Sequence, residues 1–169
     1  GFTLSLPDTD KAYISKEEML EDIIVFMGGR LAEKIIFDEI NTGASSDIDR
    51  ATTLARKMVM QYGMSDKLGS MTFTNGDHEV FLGRDFSQGN NYSPQTAAVI
   101  DDEIKGIIDY CYNKCEELLR ENLDKLHLVA QALIEHEKLD SEEFIAAFEG
   151  KMQKENEETE ENGKEGAEE

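Results

Sequence analysis

Apolar residues recur three or four positions apart along most of this chain, a spacing that predicts a mainly helical fold. Ser15 and Glu18 have the spacing of a capping box, so we expect a first helix to begin there and to continue to about Phe37. Gly28 and Gly29 lie in its middle, and because glycine weakens a helix we expect a close packing partner or a bend at that point. The apolar face of this helix comprises Met19, Leu20, Ile23, Ile24, Met27, Leu31 and Ile35.

A second helix is predicted from near Ser46 to Gln61 or Tyr62. Gly63 follows it and supplies a left-handed stop, because glycine adopts positive φ without a Cβ penalty. The apolar stripe of this helix comprises Ile48, Ala51, Ala55, Met58, Val59 and Tyr62.

Three more helices are predicted after residue 92. Ser93 can cap a long helix and Pro94 suits its first position. The next helix spans about 123–137, and Asp140 with Glu143 caps a last short one. Two antiparallel helices joined by a short turn are the simplest packing for this stretch. The expected inward faces are Ile100, Ile104, Ile107, Cys111, Cys115 and Leu118 on the first, Leu126, Val129, Ala130 and Leu133 on the second, and Phe144, Ile145 and Phe148 on the third.

Two segments have strand patterns. Residues 1–6 alternate apolar and small polar side chains before Pro7, which predicts a short strand begun upstream. Met71 to Phe73 and Val80 to Leu82 flank an Asn-Gly-Asp turn and form a candidate hairpin. The fold class expected is therefore mainly α, with a short N-terminal strand remnant and a candidate small β-hairpin.

Length and composition predict one domain and a tail. A chain of 169 residues with 39% apolar residues can bury a core, which we assign to residues 1–150. From Lys151 onward there are eight acidic and three basic side chains and almost no apolar ones, so residues 151–169 are expected to be a disordered acidic tail. The polar loop at 72–91 could gate substrate or contact a neighbour, and a plain connection is equally consistent.

Charge and cysteine content argue against two classes of protein, those that bind nucleic acid and those built on a disulfide framework. The net charge of -20 argues against nucleic acid as a partner, because binding depends on clustered Lys and Arg that neutralise phosphates. Cys111 and Cys115 lie four positions apart on one apolar helix face. We expect buried reduced thiols there, so no disulfide framework is predicted.

The start of the chain bears on membrane attachment. Gly1 replaces the usual Met and no signal-peptide pattern follows it, so we interpret Gly1 as an internal cut. The longest apolar stretch, Ile23 to Met27, is far too short to span a bilayer. We therefore expect any membrane anchor to lie outside this fragment, and the fragment itself to be soluble.

Asp47 is the strongest candidate for chemistry. It begins an amphipathic helix just after a small-residue loop, where a carboxylate is either a helix-dipole partner or a ligand for a nearby cation. A zinc hydrolase needs three protein ligands and an open position. The chain has no His-Glu-x-x-His motif, and we expect surface or structural roles for His78, His127 and His136. A complete catalytic set is therefore not predicted.

Several motifs occur in a distinctive order and spacing. They are Gly1-Phe2-Thr3-Leu4 with Leu6-Pro7, Gly28-Gly29-Arg30-Leu31-Ala32-Glu33, Thr42-Gly43-Ala44-Ser45-Ser46-Asp47-Ile48, Tyr62-Gly63-Met64-Ser65 with Leu68-Gly69, Phe81-Leu82-Gly83-Arg84, and Tyr92-Ser93 with Ile100-Asp101. Together these motifs resemble the peptidase segment of the FtsH family, membrane-anchored AAA+ ATP-dependent zinc metalloproteases, over essentially residues 1–150.

The resemblance implies site roles for two carboxylates. Asp47 matches the third zinc ligand of that family, whose two histidine ligands and catalytic glutamate lie on a His-Glu-x-x-His helix upstream. This chain would then hold an incomplete zinc site and no catalytic residue. Glu33 would accept the second N–H of a ligand imidazole. Its alternative is an ordinary helix charge paired with Arg30 or Lys34.

The resemblance also implies a function for the full-length protein. It would be a homo-hexameric, ATP-dependent zinc metalloprotease that degrades membrane and misfolded cytosolic proteins at the cytoplasmic face of the bacterial inner membrane. The fragment would supply a zinc ligand and assembly surfaces, and would be inactive alone. The rival is a non-catalytic helical oligomerisation or interaction module. A His-Glu-x-x-His motif directly upstream of Gly1 would decide between them.

Overall fold

The fold is mainly helical in the part that the computed structural model describes, which is residues 13–40, 42–73 and 92–151. The expected mainly α class is confirmed. A short 3-10 turn, Thr42–Ala44, precedes the second helix. The helices in chain order are α1 (Lys16–Phe37), α2 (Ser45–Met60), α3 (Pro94–Glu121), α4 (Leu123–His136) and α5 (Ser141–Phe148).

The strand predictions fall mostly outside the described ranges. Residues 1–6, the piece at 80–82 and residues 152–169 of the predicted tail are not described. Residues 71–73 have no regular structure, so the first half of the candidate hairpin is not a strand here. Within the described ranges the only strand-like pairing is an isolated bridge between Ser65 and Gly69.

Local capping explains where several helices begin. Ser15 and Glu18 form the predicted capping box of α1, with both reciprocal hydrogen bonds present. Asp140 and Glu143 do the same for α5. The Ser93 hydroxyl accepts from the Thr96 amide at 3.1 Å, as expected for the start of α3. These boundaries follow from the sequence because the capping contacts span only three residues.

The described residues fall into two compact units, one up to Glu116 and one from Glu117 onward. In the first unit α1 and α2 pack as an antiparallel pair. Lys16, at the start of α1, lies 3.3 Å from Asp66, beyond the end of α2. The largest fully buried side chains of this unit come from all three of its helices and are Ile23, Leu31, Met58, Val59 and Cys111.

Polar contacts join α3 to α1 in the first unit. The Lys34 ammonium donates to the Tyr112 hydroxyl at 2.7 Å, and the Cys111 thiol donates to the Leu20 carbonyl at 3.6 Å. Cys111 and Cys115 are free and buried, which confirms the predicted burial of the two thiols. Burial, and then the neighbouring Cys115, raises the pKa of Cys111 to about 11.

The Gly28-Gly29 pair does not mark a close packing partner among the described residues. A Cβ atom placed on either glycine would meet nothing within 4 Å, and α1 continues through both positions. The expectation of close packing is therefore wrong for this part of the chain. Positive φ occurs instead at Gly63, at 62°, which confirms the predicted stop after α2.

In the second unit α4 packs against α5, and the inward face of α4 differs from the prediction. Ala132 is the buried residue of α4, whereas Ala130 and Leu133 are exposed. Lys125 and Leu128 lie on the same face as Ala132, because they are seven and four positions before it. The Lys125 ammonium lies 4.4 Å from the centroid of the Phe148 ring. The short α5 therefore covers this face, which apolar spacing on α4 alone did not predict.

None of the helices in the described ranges is long and apolar enough to cross a membrane. The longest, α3, carries charged residues along its length.

Candidate metal-ligand site

Asp47 lies in the first turn of α2, where its carboxylate is accessible. The N-cap residue is Ala44, which makes no side-chain capping bond. The Asp47 side chain is 45% exposed, and its carboxylate lies 3.7 Å from the Arg50 guanidinium. Within the described ranges this ion pair is its only polar contact. A carboxylate so placed gains from the positive end of the helix dipole and keeps an oxygen available for a cation.

The Arg50 side chain reaches across to α1. Its Cζ atom lies 4.3 Å from the centroid of the Phe26 ring, which is a cation–π distance. Both residues line a shallow groove between α1 and α2 whose other walls are Asp22, Asp49, Thr53, Leu54 and Lys57. Arg50 was not predicted from the sequence as a functional residue. Its only sequence signal was the i,i+3 spacing from Asp47, which places the two side chains on one helix face.

Glu33 lies near the end of α1 and carries a buried oxygen without a partner. In the part of the chain that is described, no group donates a hydrogen bond to its Oε2 atom, so neither Arg30 nor Lys34 does. Lys34 turns instead to Tyr112 and to Glu116, whose carboxylate lies 4.0 Å away. An unpaired buried polar atom costs about 1–3 kcal/mol. Such an oxygen suits a hydrogen-bond donor supplied by another segment.

The described residues do not form a complete metal site. No group of three or more His, Cys, Asp or Glu side chains in these ranges could hold a metal ion. His127 and His136 are exposed on α4, in agreement with the surface roles expected for them, and His78 lies outside the described ranges. Asp47 fits a metal as a single carboxylate ligand, so further ligands would have to come from elsewhere.

A second polar cluster fixes the segment after α2 against α3. Ser65 is 5% exposed, and its hydroxyl donates to the Glu103 carboxylate at 2.7 Å. The Lys67 ammonium lies 3.0 Å from the other Glu103 oxygen. The bond from Ser65, and then the one from Lys67, lowers the pKa of Glu103. The Tyr62-Gly63-Met64-Ser65 motif thus has a structural role that the sequence did not disclose.

Comparison with known sequences defines the class of the chain. The sequence profile of peptidase family M41 matches residues 1–147. The chain therefore belongs to peptidase family M41. The match includes α1 and α2, which carry Glu33 and Asp47.

Individual relatives carry a more specific name. The chain is 55% identical over 150 residues to ATP-dependent zinc metalloprotease FtsH 1 of Thermoanaerobacter sp., a match that covers 89% of this chain and 24% of that protein. It is 56% identical over 144 residues to the FtsH protease of Caldicellulosiruptor bescii, covering 85% and 23%. For FtsH of Bacillus subtilis the identity is 48% over 145 residues, again covering 85% and 23%.

The chain spans about a quarter of the length of these curated relatives. The resemblance inferred from the sequence motifs is confirmed, since both the family profile and the relatives agree with it. The names of these relatives describe them as ATP-dependent zinc metalloproteases.

Proposed function

We propose that this chain is the C-terminal part of the peptidase domain of an ATP-dependent zinc metalloprotease, with residues 1–150 as the folded part and 151–169 as a disordered acidic tail. The full-length protein degrades membrane and misfolded cytosolic proteins as a homo-hexamer. It lies at the cytoplasmic face of the bacterial inner membrane, held there by an N-terminal anchor. Membership of family M41 and the names of the relatives support this proposal.

Asp47 is the third zinc ligand in this proposal. Its support is the accessible carboxylate at the start of α2, which has one ion-pair contact among the described residues and an oxygen to spare. Two histidines of a His-Glu-x-x-His helix outside this chain complete the ligand set. Zinc, when bound, supplies Lewis acidity for hydrolysis of a peptide bond. Because the chain carries one ligand of three, it is inactive alone.

Glu33 orients one of those histidines. Its Oε2 atom is buried and lacks a donor within the described ranges, which favours a bond from a group on another segment. An imidazole that binds zinc through one nitrogen offers the N–H of the other, and a carboxylate that accepts it fixes the tautomer and the ring direction. Glu33→Gln in the full-length protein should therefore weaken zinc binding, by about 10–100-fold for a partner of this kind. Unchanged zinc affinity would contradict the proposed role of Glu33 without bearing on the proposed role of Asp47.

The experiment that tests the proposal compares Asp47→Ala with the parent full-length protein. Zinc content, ATP hydrolysis and zinc-dependent proteolysis are measured on the same preparations. The variant should lose zinc and proteolysis and should keep ATP hydrolysis, since the ATPase module lies outside this chain. Proteolysis at the parent rate would contradict the assignment of Asp47.

The rival function is a non-catalytic helical oligomerisation module. It requires a parent protein without a His-Glu-x-x-His motif upstream of Gly1, which sequencing of the coding region decides. Under the rival, Asp47→Ala changes neither zinc content nor proteolysis, because the parent has neither.

A further inference from the structure

Arg50 lies on α2 and contacts both the Phe26 ring of α1 and the carboxylate on its own helix, Asp47, that we assign to zinc. Its guanidinium lies over the Phe26 ring of α1, with 4.3 Å between Cζ and the ring centroid. Its Nη1 atom lies 3.7 Å from Asp47 Oδ1. The side chain thus links the start of α2 to the middle of α1.

We propose that Arg50, clamped by Phe26, is a positioning residue for the zinc ligand Asp47. This inference rests on the proposed function of Asp47. A half-exposed aspartate can occupy several staggered rotamers when nothing fixes it. A contact at Oδ1 restricts that choice and leaves Oδ2 free for a cation. A ligand that is oriented before the metal arrives loses less conformational freedom on binding.

The Phe26 ring gives the contact its strength. An ion pair between exposed side chains contributes little by itself, because both must lose rotamer freedom to meet. The Arg50 and Asp47 side chains are 62% and 45% exposed, so this limit applies here. Stacking on Phe26 fixes the guanidinium before it meets Asp47, and a planar guanidinium suits an aromatic ring better than an ammonium does.

The positive charge of Arg50 also opposes a cation bound to Asp47. Both side chains face water, so solvent screens this repulsion. The effect of orientation is therefore the larger one, and removal of Arg50 weakens zinc binding. The opposite sign of the effect would show that repulsion dominates.

The test measures zinc affinity of the full-length protein by competition with a chromophoric chelator at fixed pH and ionic strength. Arg50→Gln should weaken binding about tenfold, the low end for partners of metal ligands. Arg50→Lys should weaken it less, because it keeps the charge and loses the planar group. Phe26→Leu should also weaken zinc binding.

Arg56→Gln is the matched control. Arg56 is an exposed arginine on the same helix, and no polar contact is recorded for it among the described residues. Its variant should bind zinc like the parent protein. The melting temperature of the zinc-free protein should be the same for Arg50→Gln and Arg56→Gln, which separates positioning from a loss of folding.

Three results overturn the inference. If Arg50→Gln binds zinc as tightly as the parent protein or more tightly, Arg50 is not a positioning residue. The proposed function still stands in that case, provided that Asp47→Asn loses zinc. If the effects of Phe26→Leu and Arg50→Gln on the free energy of zinc binding are fully additive, Phe26 does not act through Arg50. The proposed role of Phe26 as a clamp would then be wrong. If the zinc affinity of Asp47→Asn equals that of the parent protein, the proposed function itself is contradicted. If Arg50→Gln does not fold, Arg50→Lys decides the same question.

Discussion

Two side chains of α1, two positions apart, illustrate how sharply burial divides this helix. Ile23 is fully buried, whereas Val25 is 73% exposed. In the isolated chain Ile23→Ala should lower the free energy of unfolding by about 2–5 kcal/mol, because it leaves a cavity. Val25→Ala should change it by no more than about 0.5 kcal/mol. Urea unfolding measures both, and equal losses would contradict the packing described for α1.

Asp47 and Glu33 could be proposed as site residues from the sequence because they stand in motifs that resemble those of the FtsH family, and their roles stay predictions. The Phe26 clamp on Arg50 could not, since residues on different helices meet only after α1 and α2 pack. For the same reason the sequence does not reveal that Glu33 Oε2 lacks a hydrogen-bond donor among the described residues. That lack depends on where Lys34 and Tyr112 lie in space.

Helix ends were predictable where the signal is local. The capping boxes at Ser15 and Asp140 are complete within three residues, and both occur as expected. The inward face of α4 was not predictable in this way. Ala132 is buried because α5 returns against that side, and the apolar spacing of α4 carries no information about the position of α5.

Two glycines should respond in opposite ways to the same substitution. Gly63 has φ of 62°, and a Cβ there would lie 3.2 Å from Ser70 Cα. Gly63→Ala should therefore cost about 1–3 kcal/mol. Gly29 lies in a continuous helix with open space around its Cβ position within the described residues, so Gly29→Ala should stabilise the isolated chain by about 0.5–1 kcal/mol. Thermal unfolding compares them.

A loss of stability in Gly29→Ala would contradict the open surface at that position. If the loss occurs only in the full-length protein, the substitution instead reports packing of an additional segment against α1.

The Ser65–Glu103 contact predicts a pH dependence. The folded-state pKa of Glu103 lies below its usual value of 4.5, so its contribution is present above that pH and is lost as pH falls through the folded-state pKa. Ser65→Ala removes the largest cause of this shift and should reduce the acid loss. It should also cost about 1–3 kcal/mol at pH 7, because a buried hydrogen bond is broken.

Urea unfolding between pH 3 and 7 checks this prediction, with the exposed Ser70→Ala as the matched control. An equally steep loss of stability below pH 4.5 in Ser65→Ala would show that the Ser65 bond does not contribute to the acid response of Glu103.

The charge of the whole chain sets its response to salt. With a net charge of -20, self-repulsion opposes the compact state. The screening length falls from about 30 Å at 0.01 M to about 3 Å at 1 M ionic strength. The melting temperature of the isolated chain should therefore rise with sodium chloride. A melting temperature that stays constant or falls as sodium chloride is added would contradict this role of charge repulsion. Sodium sulfate is avoided because it also strengthens apolar burial.

The whole-molecule function was available from the sequence only through resemblance. The net charge argues against nucleic acid as a partner, and the apolar periodicity predicted the helices, but neither points to zinc. One carboxylate at a helix start is common, and the chain spans about a quarter of its curated relatives. The ordered motifs supplied the family, and under the proposed function the remaining zinc ligands come from outside this chain.

The most direct test of the central claim is a structure of the full-length protein with zinc bound. The proposed function predicts an Asp47 carboxylate oxygen about 2.0–2.2 Å from the metal, the usual zinc–carboxylate distance. Zinc held by other ligands, with Asp47 directed toward solvent, would contradict it.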